Sequence, residues 1–326
     1  MEPINTESIT APGAAAIDPE RLERIVRDVF SVPEVIQDPS SAPKLRKFGS
    51  LIDELEAEAR DRHLAKTEGK PFGAVTPWPT VTEQWGGSIP QGLHIILGGS
   101  GVGKTAFALQ LAAGCQCPCL YVTCEMTPAE LLRRTAARVT KTYLGKFKDG
   151  SLDPLVVRAK AEIAAEQCPD LSIMDATQVY ASPAHLLDVA QALKKNHEHF
   201  LIVVDSLHSW AEGAPSTAGE YEQVSAATRE LRTLAAKLGC PVIAISERNR
   251  ASFGKGASAD KIGSGAGSRK LEYGSESVLS LERSEDAGNG TGDVIIEATF
   301  AKNRNGKQGA MLELIFAGGF QNYSEK

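Results

Sequence analysis

From residue 93 onward, short continuous apolar runs alternate with stretches of helical period. The runs are Leu93 to Leu97, Cys119 to Cys124, Leu171 to Met174, Phe200 to Val204 and Val242 to Ile245. Between them the apolar positions recur every three or four residues at Lys104 to Ala113, Pro128 to Val139, Pro183 to Lys195 and Glu220 to Leu238. A strand that is apolar at every position is buried on both faces, as happens in a parallel sheet covered by helices. The alternation therefore predicts an α/β domain with a mostly parallel central sheet and helices on both faces. Three later strands, Ser277 to Arg283, Val294 to Lys302 and Met311 to Phe316, are separated by Gly-rich turns and predict a meander that finishes the sheet.

Up to about residue 90 the chain is rich in Pro, Ala and acidic residues. Asp18-Pro19-Glu20 is a helix-start signal, and Leu22, Ile25, Val26, Val29 and Phe30 follow at helical spacing until Pro33. A second helix is predicted from Ser50, whose spacing to Asp53 resembles a capping box, through Lys66. Leu45, Phe48, Ile52, Leu55 and Ala59 give it a narrow apolar seam, which either covers its own domain or serves as an arm, over residues 44–66, docking on a neighbouring copy. Residues 1–17, 31–43 and 67–90 are expected to be linkers or flexible segments. The expected division is a helical and flexible extension over residues 1–84 and an α/β domain over 85–326.

Composition narrows the function classes. At 326 residues, with 42% hydrophobic and 23% charged residues, the chain has ordinary globular balance, and no stretch approaches the 18 consecutive apolar residues of a membrane span. The start has no basic-then-apolar leader and the six cysteines are too sparse for a disulfide framework, so a cytoplasmic protein with reduced thiols is expected. Cys115-x-Cys117-x-Cys119 departs from metal-ligand spacing and is read as reduced, partly buried thiols. With 35 Lys and Arg against 41 Asp and Glu, the net charge is -6, so contact with nucleic acid requires a local basic patch. Residues 248–270 supply one: Arg248, Arg250, Lys255, Lys261, Arg269 and Lys270 stand against Asp260 alone, among five glycines. Such a loop suits sequence-independent phosphate contact, or is simply solvated. In the loop expected at Leu207 to Gly219, Trp210 either stacks on a base or packs against the next helix.

The strongest chemical signal is Gly98-Gly99-Ser100-Gly101-Val102-Gly103-Lys104-Thr105, a complete G-x-x-x-x-G-K-[ST] between an apolar strand and a helix. Glycines let backbone N–H groups turn inward around phosphates at a helix N-terminus, the lysine reaches the β and γ oxygens, and the threonine ligates Mg²⁺. ATP with Mg²⁺ is the expected ligand. Asp205, at the end of Phe200 to Val204, is the second candidate Mg²⁺ contact. Glu125 closes the strand Leu120 to Cys124, expected to adjoin the P-loop strand. It is read as the carboxylate that polarises the attacking water, or alternatively as a helix N-cap anion.

Cys124-Glu125-Met126-Thr127-Pro128 with Leu131, Leu132 and Arg134, and Ala301-Lys302-Asn303-Arg304-Asn305-Gly306 with Gly309, Leu312, Leu314 and Phe316, resemble the signatures of DnaB-type ring helicases over about residues 85 to 323. The resemblance implies a RecA-like fold, a hexamer and ATP-driven translocation on single-stranded DNA with duplex unwinding. A loader or replication initiator protein is the further partner it implies. It also implies that Glu125 is the catalytic base and that Lys302 and Arg304 reach a neighbour's γ-phosphate. DNA contact through Arg250, Lys255, Lys261, Arg269 and Lys270 is implied in the same way. Strand alternation sends Lys302 and Arg304 to one face and Asn303 to the other. Where those helicases carry a γ-phosphate-sensing glutamine, this chain has Ser246-Glu247-Arg248-Asn249-Arg250, which makes Glu247 the candidate sensor. Ala266-Gly267-Ser268-Arg269-Lys270-Leu271-Glu272-Tyr273 resembles instead the RadA (Sms) recombination ATPases. That likeness implies the alternative of a RadA- or KaiC-like regulatory ATPase without processive unwinding.

Overall fold

The computed structural model describes residues 45–247, 274–284 and 292–326. The helix expected after Asp18 lies outside the described residues. The chain divides into two compact units, residues 1–58 and 59–326.

In the first unit a 3-10 turn, Phe48–Leu51, leads into helix α1 (Ile52–Thr67), whose residues from Ala59 onward belong to the second. Ser50 lies within the turn, and its Oγ donates to the Lys47 carbonyl at 2.8 Å, so it does not cap α1 as its spacing suggested. Arg46 pairs with Glu54 at 2.5 Å, and Leu45, Phe48, Ile52 and Leu55 are all exposed.

The second unit runs α2 (Pro79–Gln84), β1 (Gly92–Gly98), α3 (Lys104–Ala113), β2 (Cys119–Thr123), α4 (Pro128–Val139), α5 (Pro154–Glu166), β3 (Leu171–Asp175), α6 (Pro183–Lys194), β4 (Leu201–Asp205), α7 (Leu207–Glu212), α8 (Glu220–Leu238), β5 (Pro241–Glu247), β6 (Ser277–Arg283), β7 (Val294–Asn303), β8 (Met311–Ala317) and β9 (Asn322–Glu325). These strands form one nine-stranded sheet in the order β3-β2-β4-β5-β1-β6-β7-β8-β9. Pairing is parallel from β3 through β6 and antiparallel from β6 to β9. The fold is RecA-like. One expectation about order is corrected: β2 does not adjoin the P-loop strand β1, because β4 and β5 lie between them.

Each central strand alternates its side chains between two cores. Ile96, Tyr121, Leu201, Val203, Ile243 and Ile245 face the side of α3, while Leu93, Ile95, Leu97, Val122, Ile202, Val204 and Ala244 face α7 and α8. A fully buried aliphatic or aromatic side chain contributes about 1.5–3 kcal/mol, so this double burial is what holds the parallel register. Residues before the boundary expected at 85 contribute to one of these cores. Ala74, Trp78, Val81 and Trp85 all belong to the core on the α3 side, with Trp78 stacked on Phe107 at 4.3 Å. Their segment was expected to be a linker or flexible. Leu207 to Gly219 was expected to be all loop, and its first part is α7, whose Trp210 is buried and donates Nε1–H to the Ala181 carbonyl at 2.8 Å. Packing, not base stacking, accounts for that residue. Among the described residues no helix is long and apolar enough to cross a membrane.

The antiparallel strands curl back over α3. Gln110 exchanges two hydrogen bonds with the backbone of Tyr323 on β9, at 2.9 and 2.8 Å. The root of β1 is fastened by a buried polar chain. His94 Nε2 faces the Pro90 carbonyl at 2.7 Å and must therefore carry the proton, leaving Nδ1 to accept from the Ser277 hydroxyl at 2.8 Å. Trp85 Nε1–H donates to the same Ser277 oxygen at 2.9 Å. Burial lowers the His94 pKa to about 4, against the raising effects of the Pro90 carbonyl and Glu276.

An imidazole that stays neutral in the fold but protonates at its ordinary value when unfolded removes stability as pH falls from about 6.5 toward about 4. The expected loss is about 3 kcal/mol. Denaturant unfolding of wild type and His94→Gln across that range checks it: the variant, less stable at neutral pH, is expected to lose less on acidification than wild type.

Candidate active site

The parallel register lines up the strand ends. Gly98 pairs with Glu247 across β1 and β5, and Thr123 pairs with Asp205 across β2 and β4. In open α/β sheets this carboxyl edge is where ligands bind. The P-loop leaves β1 there and enters α3. Gly103 is the N-cap of α3 with φ 84°, and a Cβ built on it would lie 2.6 Å from the Phe316 ring. Only glycine meets both demands, left-handed backbone and close approach. Behind the loop, the Val102 carbonyl accepts a short hydrogen bond from the Tyr323 hydroxyl.

Ser100, Gly101, Gly103, Lys104 and Thr105 line a cavity of about 280 Å³. Glu125, Met126, Arg134, Asp205, Ser206, Ile245, Glu247, Phe316, Gly318 and Gln321 line it as well. Gly98, Gly99 and Val102, also predicted to bind nucleotide, shape the loop from behind. A Cβ at Gly98 would meet the Leu281 carbonyl and Val102 at 2.9 Å, and the Gly99 carbonyl accepts from Lys104 Nζ at 2.9 Å.

Lys104 also pairs with Glu247 Oε1 at 3.4 Å, its own side chain only 10% exposed and that of Glu247 64% exposed. Asp205 is buried, and its Oδ2 accepts from the Tyr121 hydroxyl at 2.7 Å. Burial pushes the Asp205 carboxyl up, opposed by hydrogen bonds from Tyr121 and Thr105; nearby Glu125 adds to the rise and Lys104 counters it. Burial, followed by the Asp205 charge, likewise raises the Tyr121 phenol well above its ordinary value. Thr105 and Asp205 both line the cavity with hard oxygen atoms, a donor set that fits Mg²⁺.

Glu125 follows β2 in the short connection to α4. The helix is capped by Thr127, whose Oγ1 accepts from the Glu130 N–H at 3.3 Å, so Glu125 is not the N-cap. Its Oε1 accepts instead from the hydroxyls of Ser206 at 2.6 Å and Ser209 at 2.7 Å.

Lys302 and Arg304 do not line this cavity. Lys302 Nζ donates to the Ser275 carbonyl at 2.5 Å, and Arg304 Nη1 to Glu276 Oε1 at 3.0 Å. Asn303 turns inward, its Nδ2 donating to the Gln84 carbonyl at 2.6 Å, as the alternation predicted. Arg250, Lys255, Lys261, Arg269 and Lys270 lie outside the described residues. Cys115, Cys117 and Cys119 are buried, and burial pushes the Cys119 thiol well up; among the described residues no group of three or more acidic, His or Cys side chains could hold a metal.

The structure adds residues to the predicted site. Tyr121 was legible only as part of an apolar strand, and Ser206 and Ser209 are small polar residues with no motif of their own. Gln321 accepts from Arg134 Nη1 at 2.6 Å through its Oε1, a pairing across 187 positions that the sequence does not signal.

A sequence model of the DnaB-like helicase C-terminal domain matches residues 73–325. The chain belongs to that family. It is 24% identical over 314 residues to the replicative DNA helicase DnaB of Haemophilus influenzae, covering 93% of this chain and 65% of that protein. It is 28% identical over 301 residues to the DnaB of Treponema pallidum, covering 88% of this chain and 64% of the relative. The chain thus spans just under two thirds of the length of these DnaB relatives. Among solved structures, an isolated ATPase domain matches with TM-score 0.72 at 20% identity, covering 86% of this chain and all of that one. A DnaB-like replicative helicase, described with its interactions with primase, matches with TM-score 0.68 at 18% identity, covering 93% and 74% of the two chains. These two likenesses carry the fold, and the family match makes this a DnaB-like ATPase domain, which uses ATP.

Within that cavity Glu247 is paired with Lys104, the lysine expected to reach phosphate. An ion pair with one exposed partner is worth about 0.2–1 kcal/mol, which corresponds to roughly 1.4- to 5-fold in affinity. Glu247→Gln is expected to tighten ATP binding by that factor, checked by titration with a fluorescent ATP analogue.

Proposed function

We propose that this chain is an ATP-hydrolysing motor of the DnaB-like type that assembles as a ring, a hexamer, and translocates on single-stranded DNA with unwinding of duplex. One observation carries the reading: Lys104, Thr105, Glu125 and Asp205, drawn from the ends of two strands and the start of α3, line one cavity.

Lys104 and the N–H groups at the start of α3 bind the phosphates. Thr105 and Asp205 hold Mg²⁺, which when bound neutralises charge on the β and γ oxygens. Glu125 accepts the proton of the attacking water. Glu247, beside Lys104 at 3.4 Å, senses whether a phosphate has taken that lysine. Lys302 and Arg304 act on the neighbouring subunit's nucleotide. Support for this comes from their position outside their own cavity, with Arg304 53% exposed and paired with Glu276. The exposed seam of Leu45, Phe48, Ile52 and Leu55 supports residues 44–66 as the arm that docks on a neighbouring copy. DNA contact falls to Arg250, Lys255, Lys261, Arg269 and Lys270, on the strength of their charge and the surrounding glycines. A loader or initiator protein that opens the ring onto DNA is the remaining partner.

Lys104→Ala is expected to abolish turnover, and Glu125→Gln to keep nucleotide binding while slowing turnover by at least ~100-fold. Arg304→Ala is expected to be nearly inactive by itself, since arginine fingers contribute ~10³ to 10⁵ in rate. Co-assembled Lys104→Ala and Arg304→Ala subunits should recover part of the activity, because an intact Lys104 on one subunit meets an intact Arg304 on the next. Absence of recovery, or full activity of Arg304→Ala at dilutions where the protein is monomeric, sinks the trans role.

The motor reading has its own check. Single-stranded DNA should stimulate hydrolysis, whereas equal hydrolysis with and without DNA would favour the regulatory ATPase.

A further inference from the structure

The carboxylate read above as the general base is held by two hydroxyls from an element that carries no recognised motif. Ser206 Oγ lies 2.6 Å and Ser209 Oγ 2.7 Å from the same oxygen, Glu125 Oε1. Each hydroxyl has one proton, and an ionised carboxylate can only accept, so both protons point at Glu125. The hydroxyls are themselves fixed by helix geometry. Ser206 is the N-cap of α7, and its Oγ accepts from the Ser209 N–H at 3.4 Å. The cap thus sets the distance between the two serine oxygens at 3.0 Å, narrow enough for both to reach one carboxylate oxygen.

The backbone on either side of Glu125 is held separately. Thr123 Oγ1 donates across it to the Met126 carbonyl at 2.5 Å, and Thr127 caps α4 after it. Glu125 itself is exposed, so without the serines its side chain would sample several rotamers over the cavity. Among the described residues no donor reaches Oε2. The arrangement therefore pins one oxygen and leaves the other as the proton acceptor, aimed by the first.

We propose that Ser209, together with Ser206, is a positioning residue for hydrolysis: α7 holds Glu125 in the rotamer from which Oε2 takes the proton of water, so that the base is set from the β4 side of the cleft and not from its own strand. The proposal rests on Glu125 being the base. It also ties the chemistry to α7, the element leading from the Asp205 strand toward residues 213–219. A shift of α7 by the width of a hydrogen bond misaims the base without touching the nucleotide.

The test uses the full chain with Ser209→Ala, Ser209→Thr, Glu125→Gln and the double variant Ser209→Ala/Glu125→Gln, with ATP affinity, kcat and single-turnover rates measured for each. Ser209→Ala is expected to lower kcat roughly tenfold, the scale of removing one hydrogen bond to a charged group, while ATP affinity stays within about twofold of wild type. Ser209→Thr, which keeps the hydroxyl, should restore most of kcat. In the Glu125→Gln background Ser209→Ala should produce no further loss, because the serine acts only through the carboxylate. Wild-type kcat in Ser209→Ala overturns the positioning role. An equal loss in both backgrounds also overturns it, by assigning Ser209 to the stability of α7. If Glu125→Gln itself turns over at the wild-type rate, the reading of Glu125 as the base fails and the proposal falls with it, an outcome distinct from the other two.

Discussion

The candidate active site depends on parallel strand register. β1, β2, β4 and β5 are covered on both faces, and a slip of one residue in any of them would turn every side chain from one core to the other. That penalty locks Gly98 opposite Glu247 and Thr123 opposite Asp205. The polar residues at the strand ends are brought together as a by-product of apolar packing several residues away. None of them needs to attract another for the site to form. Two of them, the buried Asp205 and the exposed Glu247, carry like charge at the same edge.

The local grammar of this domain is legible in its sequence wherever burial is two-sided. Helices at Lys104–Ala113, Pro128–Val139 and Glu220–Leu238 have the predicted bounds, and each central strand lies within one or two residues of its predicted run. Elements with little apolar content escape. β9 offers only Tyr323 to the core, and α5 buries only Ala164 while leaving Leu155 largely exposed. α2 is six residues long, too short for a period to be seen, although its flanking Trp78 and Trp85 are deeply buried. Strand order is a different failure. The chain passes from β1 to β2 and leaves a gap that β4 and β5 later fill, and no local pattern records which gaps remain open.

The site divides along the same line. The P-loop is a contiguous stretch, so Lys104 and Thr105 are readable directly, and Asp205 and Glu125 are readable from their place at strand ends. Residues that act through those four are not. Tyr121, which hydrogen-bonds Asp205, looks like any aromatic in a buried strand, and Ser209 looks like any polar residue in a loop. Their roles come from contacts spanning 84 positions, and the information lies in the crossover connections.

The contact of Tyr323 with the P-loop has a bearing on synthesis. The loop's back wall is made by β9, through the Tyr323 hydroxyl on Val102 and its backbone on Gln110, and by Phe316 of β8 against Gly103. A ribosome that has reached residue 310 has already supplied every recognisable nucleotide motif, yet the loop has no wall to lean on. The growing chain therefore cannot support its P-loop until its last strands emerge and fold back across more than 200 positions.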